Sequence, residues 1–145
     1  RLSSLAARNK RDMGTVIDEA AATLFEQRVN EAVSQGARLL VGNQRRGALY
    51  SPTVIDRVDP RMTVAHEETF GPVSPIITFN SIDEAIRISN GTAYGLSSAV
   101  CTNRLDYITR FVSELHVGTV NVREVRASVG GELAARGTLT FAVGE

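Results

Sequence analysis

The sequence has no tryptophan, one cysteine and four prolines, and aromatic residues make up only 6% of it. The single thiol, Cys101, excludes an internal disulfide and any multi-cysteine zinc site, and it suits a reducing compartment such as the cytoplasm. Lysine is almost missing too. Lys10 stands against fifteen arginines, which leaves next to no candidate for a catalytic or Schiff-base lysine. Sixteen basic residues balance sixteen acidic ones, so no net field attracts nucleic acid. No apolar run approaches the roughly 18 residues of a membrane span. His66 and His116 each lack a second histidine or cysteine at ligand spacing, so no metal site is expected. Phosphate-cradling loops of the G-x-G-x-x-G or Walker type are missing, and the pair Gly130-Gly131 means little alone. No serine, histidine and aspartate assemble into a triad.

What is there reads as an ordinary globular chain. Its 145 residues are 43% hydrophobic and 22% charged, one domain's worth of material with enough apolar surface for a core. Residues 1–11 carry four positive charges and no acid, and are expected to form a mobile or non-native leader. From Asp18, a capping residue, Ala21, Leu24, Phe25, Val29, Ala32 and Val33 recur at helical spacing, and Gly36 supplies a stop. Residues 37–41 read as a short buried strand and 42–47 as a polar turn. Residues 49–55 read as a strand that Pro52 confines to a sheet edge. An irregular stretch from Asp59 to Pro72 precedes a strand at 73–79. Ser81 and Glu84 form a capping box for a helix that buries Ile82, Ala85 and Ile86 and ends near Asn90-Gly91. A strand at 96–101, a helix at 103–116 and a strand at 118–122 complete the alternation; residues 138–143 form one further plausible strand. Strands alternating with helices predict an α/β fold, a layered and largely parallel sheet with flanking helices.

Three places hold side chains with chemical potential. Cys101 lies in an apolar strand with no nearby cation to lower its pKa, and is read as a buried strand cysteine. His116 ends a helix, where a cation meets the helix dipole favourably. The run from His66 to Val73 sets two adjacent carboxylates, an aromatic and a Gly-Pro turn just outside a buried strand. Ligands of α/β folds often sit beyond strand ends, a carboxylate can accept two hydrogen bonds from a vicinal diol, and an aromatic can buttress a flat ring. The same residues can equally form a structural turn with solvated acids.

Glu67-Glu68-Thr69-Phe70-Gly71-Pro72-Val73 resembles the E-E-x-F-G-P-V segment of the NAD(P)-dependent aldehyde dehydrogenase superfamily. Four further stretches agree, in the family's order. Residues 12–18 resemble its approach to a long helix, and Gly36 to Gly42 its G-A-x-x-x-x-G turn. Asn90 to Leu96 is similar to its N-x-T-x-Y-G-L, followed by Gly118-Thr119-Val120 for its G-T-V. Residues 12–22, 97–106 and 121–125 look most like phosphonoacetaldehyde dehydrogenases. The resemblance implies an enzyme in which a cysteine thiolate attacks the aldehyde, hydride passes to the nicotinamide, and a glutamate-activated water releases the acid. It also implies NAD or NADP as cofactor, with Glu68 holding the nicotinamide-ribose hydroxyls and Phe70 lying near the nicotinamide.

The departures from the family shape the remaining expectations. Residues 12–125 correspond to part of the catalytic domain, downstream of the family's nucleophilic cysteine, base glutamate and dinucleotide-binding domain. No catalytic residue is therefore assigned, Cys101 falls outside the nucleophile's stretch, and the segment alone is expected to be inactive. The family's P-F-G-G-x-K-x-S-G signature is not found in residues 126–145, which read as a divergent tail of the kind a truncated or shifted reading frame leaves. The complete enzyme would be a cytoplasmic homo-oligomer acting on a small aldehyde. The alternative is a non-catalytic interaction module derived from that domain, which self-associates or pairs with a missing cofactor-binding half through exposed apolar faces.

Overall fold

Asp18 opens the first helix of the computed structural model, which describes residues 13–129 and 132–142, with side chains described to Val122. Its extended backbone and its carboxylate, which accepts the Ala21 N–H at 2.7 Å, cap helix α1, Glu19–Ser34. The buried stripe is Ala22, Phe25, Val29 and Ala32. Leu24 and Val33, expected in the core, are exposed instead, because they sit on the helix flank away from that stripe. The helix ends on Gly36 at φ +108°, with Gly36 N–H donating to the Val33 carbonyl and Ala37 N–H to the Ala32 carbonyl. This is the Schellman arrangement that a glycine after a helix favours.

The chain divides into two compact units, Arg1–Thr78 and Phe79–Glu145. In the first, strands β1 (Arg38–Val41), β4 (Thr53–Asp56) and β5 (Val73–Pro75) form a sheet in the order β1-β4-β5. Between β1 and β4, strands β2 (Arg45–Arg46) and β3 (Leu49–Tyr50) make a small antiparallel hairpin. Strand β1 pairs antiparallel with β4, and β4 pairs parallel with β5. The expectation of a buried first strand fails. β1 is an edge strand with Leu39 and Leu40 exposed, while β4 is central and almost wholly buried. Pro52 does break the run, but it lies just ahead of β4, where its missing N–H costs the ladder nothing. The strand expected at 73–79 shortens to three residues ending at Pro75, beyond which the Ile76 N–H still reaches the Ile55 carbonyl. Two clusters hold this unit. One joins Val29, Ala32 and Ala37 to Ile55, Val58, Met62 and Val64. The other packs Ala22, Phe25 and Tyr50, with the two rings edge to face at 5.8 Å.

In the second unit Ser81 caps helix α3 (Ile82–Ser89) by accepting the Glu84 N–H at 3.1 Å. The return arm of the expected box lands one residue early, since the Glu84 carboxylate accepts the Asn80 N–H at 2.9 Å. Strand β6 (Ser98–Cys101) runs parallel to β7 (Thr119–Val129), with helix α4 (Leu105–Glu114) as the crossover, a βαβ unit. Strand β8 (Glu132–Ala142) then adds antiparallel to β7 and extends the strand expected near 138–143. Ile86, Val100, Ile108, Leu115, Val120 and Val122 make the core. Leu105, at the start of α4, is exposed. Asn90 ties the unit's turns together: its Nδ2 donates to the Glu114 carbonyl at 2.8 Å, and its Oδ1 accepts the His116 N–H at 2.9 Å. His116 thus lies past α4 rather than at its end.

The α/β class is found, yet the pairing is mixed rather than largely parallel, with β1-β4, β2-β3 and β7-β8 antiparallel among the described strands. In the β2-β3 hairpin the connection is too short for any but an antiparallel pair, since only a crossover can join parallel strands. The expected leader at 1–11 lies outside the described residues.

Candidate cofactor-facing loop

The parallel pairing of β4 with β5 forces the chain to cross over between them, and the crossover carries the run from His66 to Pro72. It begins with a one-turn helix, α2 (Thr63–His66), closed by the Glu67 N–H on the Thr63 carbonyl. It ends as β5 starts, where the Thr53 N–H donates to the Pro72 carbonyl at 2.8 Å. The loop therefore feeds the amino end of β5, whereas ligands of open α/β sheets commonly lie beyond carboxyl ends.

Helix α1 shapes the loop from below. Arg28 Nη1 donates to the backbone carbonyl of Glu68 and, at 2.8 Å, to the Thr69 hydroxyl. One turn earlier on the same helix, the buried Phe25 ring lies under Gly71. A Cβ there would stand 2.3 Å from Phe25 Cε2, so only glycine lets the backbone come this close. Two tight turns follow: the Gly71 N–H donates to the Thr69 carbonyl and the Val73 N–H to the Gly71 carbonyl, both at 2.8 Å. His66 Nδ1 lies 3.5 Å from the Glu67 carboxylate.

The sequence-predicted pair, Glu68 and Phe70, are both solvent-exposed on this loop, the Phe70 ring at 88%. An aromatic ring so bare is costly to leave in water and is what a flat ligand could cover. The pair suits the diol-and-ring end of a dinucleotide. A carboxylate accepts hydroxyl protons, and a bare ring gives a stacking face. Phe25, Arg28 and Thr69 were not anticipated as parts of the site. Phe25 was legible as core and Arg28 lies three residues on along the helix, but nothing local links Arg28 to a loop 40 residues away.

Other features lie elsewhere. Cys101 is exposed, not buried: β6 alternates, with Val100 turned to the core and Cys101 away from it. A groove of about 370 Å³ on the hairpin is lined by Met13, Arg45, Arg46, Leu49, Tyr50 and Pro52, and contains no residue of the Glu67–Val73 loop. Arg45 there is committed to Glu26 at 2.8 Å and Glu19 at 3.2 Å, which raise its pKa chiefly through the Glu26 hydrogen bond. Burial pushes the pKa of the Tyr50 hydroxyl upward, and the hydroxyl donates a 2.7 Å hydrogen bond to Asn43 Oδ1. Among the described residues no group of three His, Cys, Asp or Glu side chains could hold a metal ion, and no helix is long and apolar enough to cross a membrane.

Comparison with known proteins is consistent across sequence and fold. The sequence model of the aldehyde dehydrogenase family matches residues 3–135, wider than the 12–125 stretch that carries the motifs. The 3-sulfolactaldehyde dehydrogenase of Pseudomonas putida is 38% identical over 127 residues, covering 86% of this chain and 26% of that protein. Sulfoacetaldehyde dehydrogenase of Neptuniibacter caesariensis is 39% identical, covering 74% of this chain and 24% of its own. The NADP-complexed crystal structure of an NADP-dependent glyceraldehyde-3-phosphate dehydrogenase from Bacillus halodurans C-125 superposes with a TM-score of 0.79 at 39% identity. That match covers 83% of this chain and 27% of that one. The chain thus spans about a quarter of the length of the relatives it matches. With a family match over most of its length and the same α/β fold, the chain belongs to the aldehyde dehydrogenase family.

Proposed function

We propose that this chain is the part of an NAD(P)+-dependent aldehyde dehydrogenase that meets the nicotinamide-ribose end of the cofactor. The carrying observation is the pair Glu68 and Phe70, exposed two residues apart on a loop that Arg28 and the Phe25–Gly71 contact hold to helix α1. The Glu68 carboxylate accepts hydrogen bonds from the two ribose hydroxyls, and the Phe70 ring flanks the nicotinamide. When bound, the nicotinamide supplies the hydride acceptor that takes an aldehyde to its carboxylic acid. This chain's own residues orient and do no bond-making: residues 12–125 contribute to the catalytic domain, while the nucleophilic cysteine and the base glutamate come from outside the segment. The isolated chain oxidises no aldehyde, and the complete enzyme works in the cytoplasm.

The favoured substrate is phosphonoacetaldehyde. Its support is the likeness of residues 12–22, 97–106 and 121–125 to enzymes of that specificity. It is also chemically consistent with relatives named for sulfonated or phosphorylated aldehydes, whose anionic end is alike.

The test is an NMR titration of the chain with β-nicotinamide mononucleotide. Amide shifts should centre on residues 68–70, and Glu68→Gln should weaken binding about tenfold, the loss of charge-assisted hydrogen bonds. Shifts elsewhere, or equal affinity for the Gln variant, would refute the cofactor role. NAD(P)H formation from phosphonoacetaldehyde by the chain alone would refute its inactivity.

A second reading, self-association or pairing with a separate cofactor-binding polypeptide, draws support from Ile17, Phe70 and Leu96, exposed at 92%, 88% and 90%. Sedimentation should then show dimers or larger species; a monodisperse monomer would dismiss the self-association arm.

A further inference from the structure

We infer that Arg28 is a positioning residue for the Glu67–Val73 loop, and that its guanidinium holds the chain directly after the Glu68 side chain, at the Glu68 carbonyl and the Thr69 hydroxyl. Its bearing on the cofactor rests on the function proposed above; its bearing on the loop does not. The Glu68 carbonyl and the Thr69 hydroxyl both accept from one nitrogen, Arg28 Nη1, of a side chain carried by a helix whose own core face is locked. A guanidinium is always charged and planar, so its bonds to a neutral carbonyl and hydroxyl are charge-assisted and directional. The neighbouring loop bonds are weaker. Gly71 and Val73 close three-residue turns, and the His66–Glu67 pair at 3.5 Å is exposed and adjacent in sequence. The Phe25 ring beneath Gly71 and the Arg28 guanidinium are two contacts by which helix α1 holds residues 68–71. Thr69 accordingly matters as an acceptor, and the variable position of E-E-x-F-G-P is here matched to Arg28.

Amide hydrogen exchange by NMR on the whole chain tests this without any ligand. Arg28→Gln should speed exchange of the Glu67 and Gly71 amides about fivefold, as expected for losing a partly exposed charge-assisted bond. The Ala37 amide, which closes the far end of α1 on the Ala32 carbonyl, should keep its rate. Arg28→Lys, which keeps the charge but loses the planar fork, should recover part of the protection. Thr69→Val removes one acceptor and leaves the helix untouched, so it reports even where Arg28→Gln folds poorly. Its effect should be smaller, and the double variant should add little to Arg28→Gln alone. Unchanged loop exchange in Arg28→Gln, additive variants, or equal acceleration of Ala37 would each overturn the inference.

A parallel titration with β-nicotinamide mononucleotide separates the two levels. Affinity should fall about fivefold in Arg28→Gln and partly return in Arg28→Lys. Wild-type chain that shows no shifts would overturn the cofactor reading and leave the exchange data to decide the role of Arg28 in the loop.

Discussion

Asn90 offers the sharpest check on the second unit. Asn90→Ala deletes two hydrogen bonds, of 2.8 Å to the Glu114 carbonyl and 2.9 Å from the His116 N–H. Each bond is worth about 1 kcal/mol net, and leaving partly buried partners unpaired keeps the sum near 2 kcal/mol. At a urea slope of about 2 kcal/mol/M this lowers the midpoint by about 1 M. The chain has two compact units, so the transition should be followed through the amides of Val100 and Val120, which belong to the core beside Asn90. Asn90→Asp sharpens the test. As a carboxylate it keeps the acceptor for His116 but turns a charge toward the Glu114 carbonyl, so at pH 7 it costs at least as much as alanine. Once protonated, the group can donate again. Its folded pKa is therefore raised above the unfolded value of about 3.9, and the recovered stability is present below that value and lost as pH rises through the folded pKa. A loss under about 0.5 kcal/mol for alanine, the size of an ordinary surface change, or a pH-independent deficit for aspartate, would refute this account of the N-x-T-x-Y-G-L motif.

Three further outcomes are expected. Gly71→Ala drives a Cβ to within 2.3 Å of the Phe25 ring and should cost about 2 kcal/mol by overpacking; Phe25→Ala should relieve part of it, and full additivity in the double variant would speak against the contact. Acid should weaken the fold, because four carboxyls are held below their usual values: Asp56 by the Arg57 N–H and Arg38, Asp59 by Arg61, Asp106 by Arg104, and Glu114 by Arg110. Their contribution is present above about pH 4 and lost as pH falls through the lowered values, so an unfolding temperature that is flat from pH 5 to about pH 2.5 would contradict it. Cys101 should react with a thiol reagent under native conditions at a rate close to that of a denatured control, whereas protection of about a hundredfold or more would mark it as buried.

Sequence reasoning succeeded where structure is local. Asp18, Gly36, Ser81 and Asn90-Gly91 mark helix ends through bonds spanning a few residues, and the structure places those ends accordingly. It failed where a partner strand decides. Nothing in the run Arg38–Val41 says that it has a neighbour on one side only, or that β4 lies between two others. The alternation of β6 could have turned Cys101 outward from Val100, but reading 96–101 as one apolar run hid the two-residue period. For the loop, Glu68 and Phe70 were singled out from a motif, while Arg28 was invisible because its bonds reach across 40 and 41 residues.

That separation bears on the order of folding. Capped helices form early because their bonds close short loops, whereas the Arg28 tie exists only after α1 and the chain ahead of β5 have met. The Glu67–Val73 loop is then expected to take its shape late, after the folding transition state. Loss of Arg28 should speed unfolding and leave the refolding rate nearly unchanged.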